Sequence, residues 1–220
     1  MAKHFRSPIL VLALALAAAP ALAQQGFKFS NDDKAEKEQE AARQDQVRAQ
    51  LATPCRAKIK DQKIVVLIGE QRGGDIYAEQ GSFGQHFDAI NSRLRGLGLK
   101  TYTQKQITQQ IAQAQMDAYF KNDADAAINA SKRLAAQYIL RGVISTQANR
   151  NAIINVNQVN VTMNFTLTGA NGRMISEASA ENASYAGADT AGLALTLINE
   201  RADEVVARLY SDYCRAAGVR

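Results

Sequence analysis

The chain has 220 residues, 46% of them apolar, with 26 basic and 21 acidic side chains, two cysteines and no tryptophan. That length suits one domain with appendages, and the apolar share is ordinary for a globular core. The net charge of +5 comes from charges mixed along the chain rather than clustered, which argues against nucleic acid as a partner.

The first 23 residues have the three parts of a cleavable export signal. Lys3 and Arg6 give a positive start, residues 9–19 are an unbroken apolar run, and Ala21-Leu22-Ala23 supplies the small-x-small pattern before Gln24. The run is shorter than the roughly 20 residues of a membrane helix, and no later segment reads as a transmembrane span. Cleavage removes two basic and no acidic residues, leaving 24 − 21 = +3 over 197 residues. A lipoprotein signal would place cysteine where Gln24 stands, so no lipid anchor is expected. The prediction is an exported protein, soluble in the periplasm of a Gram-negative bacterium.

Three regions follow from this: a signal peptide over 1–23, a polar leader helix or linker over 24–54, and a folded domain over 55–220. Cys55 and Cys214 stand at the two ends of that domain. In an oxidising compartment they are expected to pair; the alternative is two separately buried thiols. A bond closing so long a loop would stabilise the fold by about 4–5 kcal/mol.

In chain order, Asn31-Asp32-Asp33 can cap a helix over residues 35–52, rich in Ala, Glu, Gln, Lys and Arg. It has little to bury, so it reads as a solvated leader helix or as a partner-docking arm. Ile64-Val65-Val66-Leu67-Ile68 is the β-branched run of a doubly buried strand. A glycine-containing loop is expected over residues 69–81, from Gly69 to Gly81. Ser82 with Gln85 then forms a capping box for a helix whose stripe is Phe83, Phe87, Ile90, Leu94 and Leu97.

A second strand is expected from Leu99, then a second capping box at Thr103 and Gln106, heading one helix with the stripe Ile107, Ile111, Ala114 and Ala118. Another helix runs from Asn122 through Ala136, with Asp123 and Asp125 near its positive end. Residues 138–144 form a third strand. The clearest pattern follows: Val159, Val161, Met163, Phe165 and Leu167 alternate with polar residues, predicting an antiparallel strand with one wet face. Gly169-Ala170-Asn171-Gly172 is a turn. The returning strand, 173–184, is expected to put Met174, Ser176, Ala178 and Ala180 on one face. A long helix over 189–213, striped by Ala191, Ala194, Leu195, Ile198, Ala202, Val205, Val206 and Leu209, would pack there. The predicted class is α/β (α+β): a single domain whose mixed β-sheet carries an antiparallel hairpin in its C-terminal half and is packed by helices.

The stretch Leu134-Ala135-Ala136-Gln137-Tyr138-Ile139-Leu140-Arg141-Gly142-Val143-Ile144, the hairpin around Gly169 to Gly172 and the terminal helix resemble the anticodon-binding-like domain of periplasmic envelope proteins. That superfamily includes the N-terminal domain of TolB, the curli-secretion lipoprotein CsgG and the penicillin-binding-protein activator LpoB. The resemblance spans residues 60–213 and implies a domain that binds proteins or builds assemblies. The lipid-anchor cysteine and the long membrane-inserting hairpins of CsgG have no counterpart. Ser176, Glu177, Ser179 and Glu181 in the returning strand argue against a pore.

Candidate chemistry is sparse. His86 is the only histidine after residue 23 and sits beside an apolar stripe. No Cys/His metal set and no G-x-S-x-G elbow is present. The loop at Gly69-Glu70-Gln71-Arg72-Gly73-Gly74 lacks the Lys-Ser/Thr end of a P-loop. No catalytic residue, cofactor or metal is therefore assigned. The candidate partner face is the wet side of the alternating strand: Asn160, Thr162, Asn164, Thr166 and Thr168, polar and uncharged, hence cheap to desolvate. The expected partner is an envelope protein engaged in assembly or its regulation. The competing expectation is a small-ligand or hydrolytic enzyme using the 69–81 loop.

Overall fold

The computed structural model describes residues 29–153, 155–186 and 188–218. The expected signal peptide and the start at Gln24 lie outside the described residues. The chain divides into two units, residues 1–38 and 39–220, and the larger one carries the sheet.

Six strands make one mixed sheet: β1 (Lys63–Arg72), β2 (Asp75–Tyr77), β3 (Lys100–Thr101), β4 (Tyr138–Asn151), β5 (Val156–Gly169) and β6 (Met174–Ala186). Their order is β2-β1-β4-β5-β6, with β3 also on β1. β1 runs parallel to β3 and β4; the other pairings are antiparallel. Helices are α1 (Phe29–Leu51), α2 (Arg56–Ile59), α3 (Gly84–Gly96), α4 (Gln104–Gln110), α5 (Gln113–Phe120), α6 (Ala124–Leu134) and α7 (Thr190–Ala216). The α/β class, the hairpin and the long last helix are as the sequence predicts.

The core forms because period-2 and period-3.6 faces meet. Val159, Val161, Met163, Phe165 and Leu167 are all buried on β5, and Ala178 and Ala180 beside them on β6 are small enough for α7 to approach closely. α7 answers with Ala194, Ile198, Ala202, Val205, Val206 and Leu209. Asp189 starts it by accepting from the Gly192 N–H at 2.8 Å. The Thr103–Gln106 capping box heads α4. Asp123 is itself the cap of α6, accepting from the N–H groups of Asp125 and Ala126. Ala135, at φ +49°, ends that helix.

Cys55 and Cys214 are joined, with Cα atoms 5.6 Å apart. The bond ties the entry to α2 to the last turns of α7. Beside it the Tyr210 hydroxyl donates to the Thr53 carbonyl and accepts from the Cys55 N–H.

Several expectations are corrected. β1 continues to Arg72 and turns back through Gly73 and Gly74, both at positive φ, into β2, so much of the expected loop is a hairpin. Ser82 caps nothing: it lies in a 3-10 turn, Gln80–Ser82, and α3 starts two residues later without a side-chain cap. The helix expected through Ile107 and Ala118 breaks at Ile111 and Ala112, both extended. The break buries Met116, Tyr119 and Phe120 and leaves Ala114 exposed, since one straight stripe could not reach both sets. A register shift between Leu167 and Thr168 puts Met174 out, 56% exposed, while Ser176 turns in. Ala191 is exposed. The leader helix is not simply solvated: Arg43, Val47 and Leu51 are half-buried, and Arg201 on α7 stands 3.9 Å from Glu40.

Candidate functional site

The two sides of β4, β5 and β6 differ. α7 covers the side bearing Val161, Met163 and Phe165. On the other side Asn164 is exposed, and Asn160, Thr162, Thr166 and Thr168 are half-buried. The pleat puts all five predicted partner-face residues on this one outer face.

Register supplies their neighbours, because residues directly opposite share a face. Asn160 lies between Gln147 and Ala183, Thr162 between Ser145 and Glu181, Asn164 between Val143 and Ser179, and Thr166 between Arg141 and Glu177. The face is uncharged along β5 alone, but the assembled surface has an acidic rim on β6 and a cation on β4. Desolvating it costs more than the strand by itself suggests.

The lower end is also partly roofed. Arg141 donates to Asn122 Oδ1 at 2.6 Å, and its guanidinium carbon lies 5.8 Å from the Tyr119 ring centre. Burial pushes the Tyr119 hydroxyl up, while a hydrogen bond with Thr168 and the Arg141 charge pull it back. Thr168 Oγ1 reaches the Ile139 carbonyl at 3.4 Å. Thr168 is therefore taken up by the fold, and the open part of the face is Asn160, Thr162 and Asn164, with Thr166 at its border.

The hairpin of β1 and β2 borders a second concavity. It is an open groove of about 890 Å³ lined by Ile76, Tyr77, Phe83 and Phe120 with Arg72, Asp75, Asp117 and Lys121 around them. Gly69 lets this hairpin close down, since a Cβ there would sit 2.7 Å from both Ile76 and Phe120. Arg72 pairs with Glu70 and lies 5.7 Å over the Tyr77 ring. His86 is beside Phe83, with ring centres 6.4 Å apart; burial holds its imidazole below the usual range and Glu70 partly restores it. Among the described residues no three His, Cys, Asp or Glu side chains gather as a metal set, and no helix is long and apolar enough to cross a membrane.

Sequence reasoning missed Gln80, which is 1% exposed and clamps β1. A single glutamine in an apparent loop carries no pattern that would find it.

No family model matches the chain, and no curated protein does. Solved structures with partial likeness include a lipoprotein of Neisseria meningitidis, at 13% identity and TM-score 0.46 over 62% of this chain and 92% of that one. The LpoB C-terminal domain of Salmonella enterica gives 14% and 0.40 over 59% and 93%. A PelC dodecamer of Paraburkholderia phytofirmans gives 17% and 0.42 over 68% and 91%. At these identities and scores the likenesses assign neither a family nor an activity.

Proposed function

We propose that this protein is an exported, non-enzymatic binding domain of the cell envelope. It acts in the periplasm of a Gram-negative bacterium by docking a partner protein on the open part of the outer sheet face. The observation that carries the proposal is the asymmetry of β5: one side is sealed by α7, while Asn160, Thr162 and Asn164 stand half-buried to exposed on the other. The export signal expected at residues 1–23 and the paired cysteines support the compartment. The partner belongs to an envelope assembly or regulates one.

The test pairs a melting curve with partner recovery for the combined Asn160→Lys, Thr162→Lys and Asn164→Lys variant. Surface changes typically cost within about 0.5 kcal/mol each, and Glu181 opposite position 162 accommodates one added charge. The variant should fold and lose the partner. A folded variant that recovers the same partner at wild-type yield removes the face from the function.

The groove beside Ile76 and Tyr77 favours a second proposal, a small-ligand site at the hairpin. A small-molecule thermal-shift screen with a strong hit that Tyr77→Ala abolishes, and no recoverable protein partner, would favour it.

A further inference from the structure

Among the described residues β6 pairs with β5 and with no other strand, so it is an edge. It is 13 residues long, against a usual strand of about 5–6. It contains no proline, lysine or arginine, residues that commonly blunt such edges. The Ala183 N–H is satisfied by Asn182 Oδ1 at 3.1 Å rather than by β5. Backbone groups alternate in direction along an antiparallel ladder, so Glu181, Ser179 and Glu177 also turn their N–H and C=O outward. The edge is a row of donors and acceptors without a neighbouring strand.

Acidic side chains flank that row on both sides of the sheet. Glu177 and Glu181 are exposed on the outer face. On the inner face α7 sets Asp212 against Ser176 at 2.6 Å and Glu200 against Asn182 at 2.8 Å. Glu204 follows Glu200 by one helical turn on the same flank. Arg208 interrupts that flank, and Arg201 and Arg215 pair with Glu204 and Asp212. Arg201 shares a concavity with Glu181 and another with Glu200, though no ion pair joins it to either among the described residues. On the α7 side the arginines thus balance the carboxylates, and the acidic character of this edge comes from Glu177 and Glu181 on the outer face.

We propose that β6 accepts an extended basic segment of another protein as an added strand. The segment's backbone bonds to Glu177, Ser179 and Glu181, and its Lys or Arg side chains, at alternate positions, meet Glu177 and Glu181. A second copy of this chain fits worse, because β6 against β6 sets the same acidic strand against itself, and like charges placed opposite are destabilising. This edge adjoins the open face of β5 and shares Glu177 and Glu181 with its acidic rim, but strand addition uses the outward backbone of β6 and does not depend on partner docking there.

The intact protein is titrated with a labelled short peptide alternating lysine and valine, and with the same peptide N-methylated at alternate residues. The first should bind, and N-methylation should abolish binding because it removes half of the backbone donors. The double variant Glu177→Lys, Glu181→Lys should weaken the lysine peptide by about tenfold or more, and a glutamate-valine peptide should recover binding to it. Ser179→Pro removes one outward N–H without touching the β5 ladder and should weaken binding with little change in melting temperature. If Ser179→Pro does not fold, the methylated peptide still decides the point. The proposal is overturned if wild type does not bind the lysine peptide or if the methylated peptide binds equally well. It is also overturned if sedimentation shows self-association that the Glu177→Lys, Glu181→Lys variant removes. Failure here with partner recovery intact would discard the edge and leave the β5 face standing.

Discussion

The Gln80 side chain holds both backbone groups of Ile68. Its Oε1 accepts from the Ile68 N–H at 3.0 Å, and its Nε2 donates to the Ile68 carbonyl at 2.7 Å and the Ala78 carbonyl at 2.8 Å. β3 reaches β1 at Lys63 and Ile64, and β2 reaches it from Glu70 to Arg72. Ile68 falls in the gap between them, where a buried strand would otherwise leave a donor and an acceptor unpaired. One carboxamide takes the place of a neighbouring strand.

Gln80→Leu keeps the volume and removes the partners of the buried Ile68 groups. Each of the two orphaned groups costs about 1–3 kcal/mol, so unfolding free energy should fall by about 2–6 kcal/mol. Gln80→Glu should also destabilise, because a carboxylate would face the carbonyls of Ile68 and Ala78. Urea denaturation measures both variants. Wild-type stability for Gln80→Leu would contradict the role assigned to this side chain.

Gly142 lies directly opposite Phe165 in the β4–β5 ladder. A Cβ at 142 would come within 2.8 Å of the Phe165 Cδ1 and Cζ atoms, so the ring occupies the space above the glycine. Gly142→Ala should therefore cost about 1–3 kcal/mol by overpacking. Phe165→Leu should cost a similar amount by opening a cavity. The double variant should cost less than the sum, because each change relieves the other. Additive losses in a denaturation cycle would mean that the two positions do not share this space.

Much of this fold was legible because its strongest elements repeat a single rule over many residues. The alternation from Val159 to Leu167 determines which side of β5 is buried, and Asn171-Gly172 marks the turn, where Gly172 takes φ +76°. What stayed hidden depends on pairing across the sheet. The charges around the polar face come from Glu181 and Glu177 on β6 and Arg141 on β4, neighbours that only register reveals. The hairpin between β1 and β2 had a signal in Gly73-Gly74, yet β2 is three residues long, too short for alternation to show. The break at Ile111 follows from burying Met116, Tyr119 and Phe120 with Ile107, a tertiary demand that overrides the local helical stripe.

His86 gives the fold a pH dependence of definite sign. Burial lowers its folded-state pKa below the ordinary 6.5, with the Glu70 carboxylate opposing the shift. The unfolded chain therefore takes up the proton first as pH falls. The His86 contribution to stability is constant above pH 6.5 and is lost as pH drops from there through the folded-state value. His86→Gln should flatten this part of the stability profile. In Glu70→Gln the imidazole should titrate at a lower pH than in wild type, measured by NMR of the ring protons. An upward shift would show that Glu70 does not act on it.

The disulfide ties the entry to α2 to the last turns of α7, and its loss should be costly. The bond spans a sequence separation of 159 residues, for which chain entropy gives about 5 kcal/mol, reduced by any residual structure in the unfolded chain. Cys55→Ala, Cys214→Ala and the double variant should lose nearly the same stability, since each removes the same cross-link. Non-reduced, denatured wild type should show no free thiol. Tyr210 offers a separate brace, bonding to Thr53 and Cys55 across the same junction. Tyr210→Phe removes those two bonds and leaves the covalent tie, so it should cost only about 1–3 kcal/mol. If the cysteine variants lose no more than Tyr210→Phe, packing and hydrogen bonds, not the covalent link, hold α2 to the end of α7.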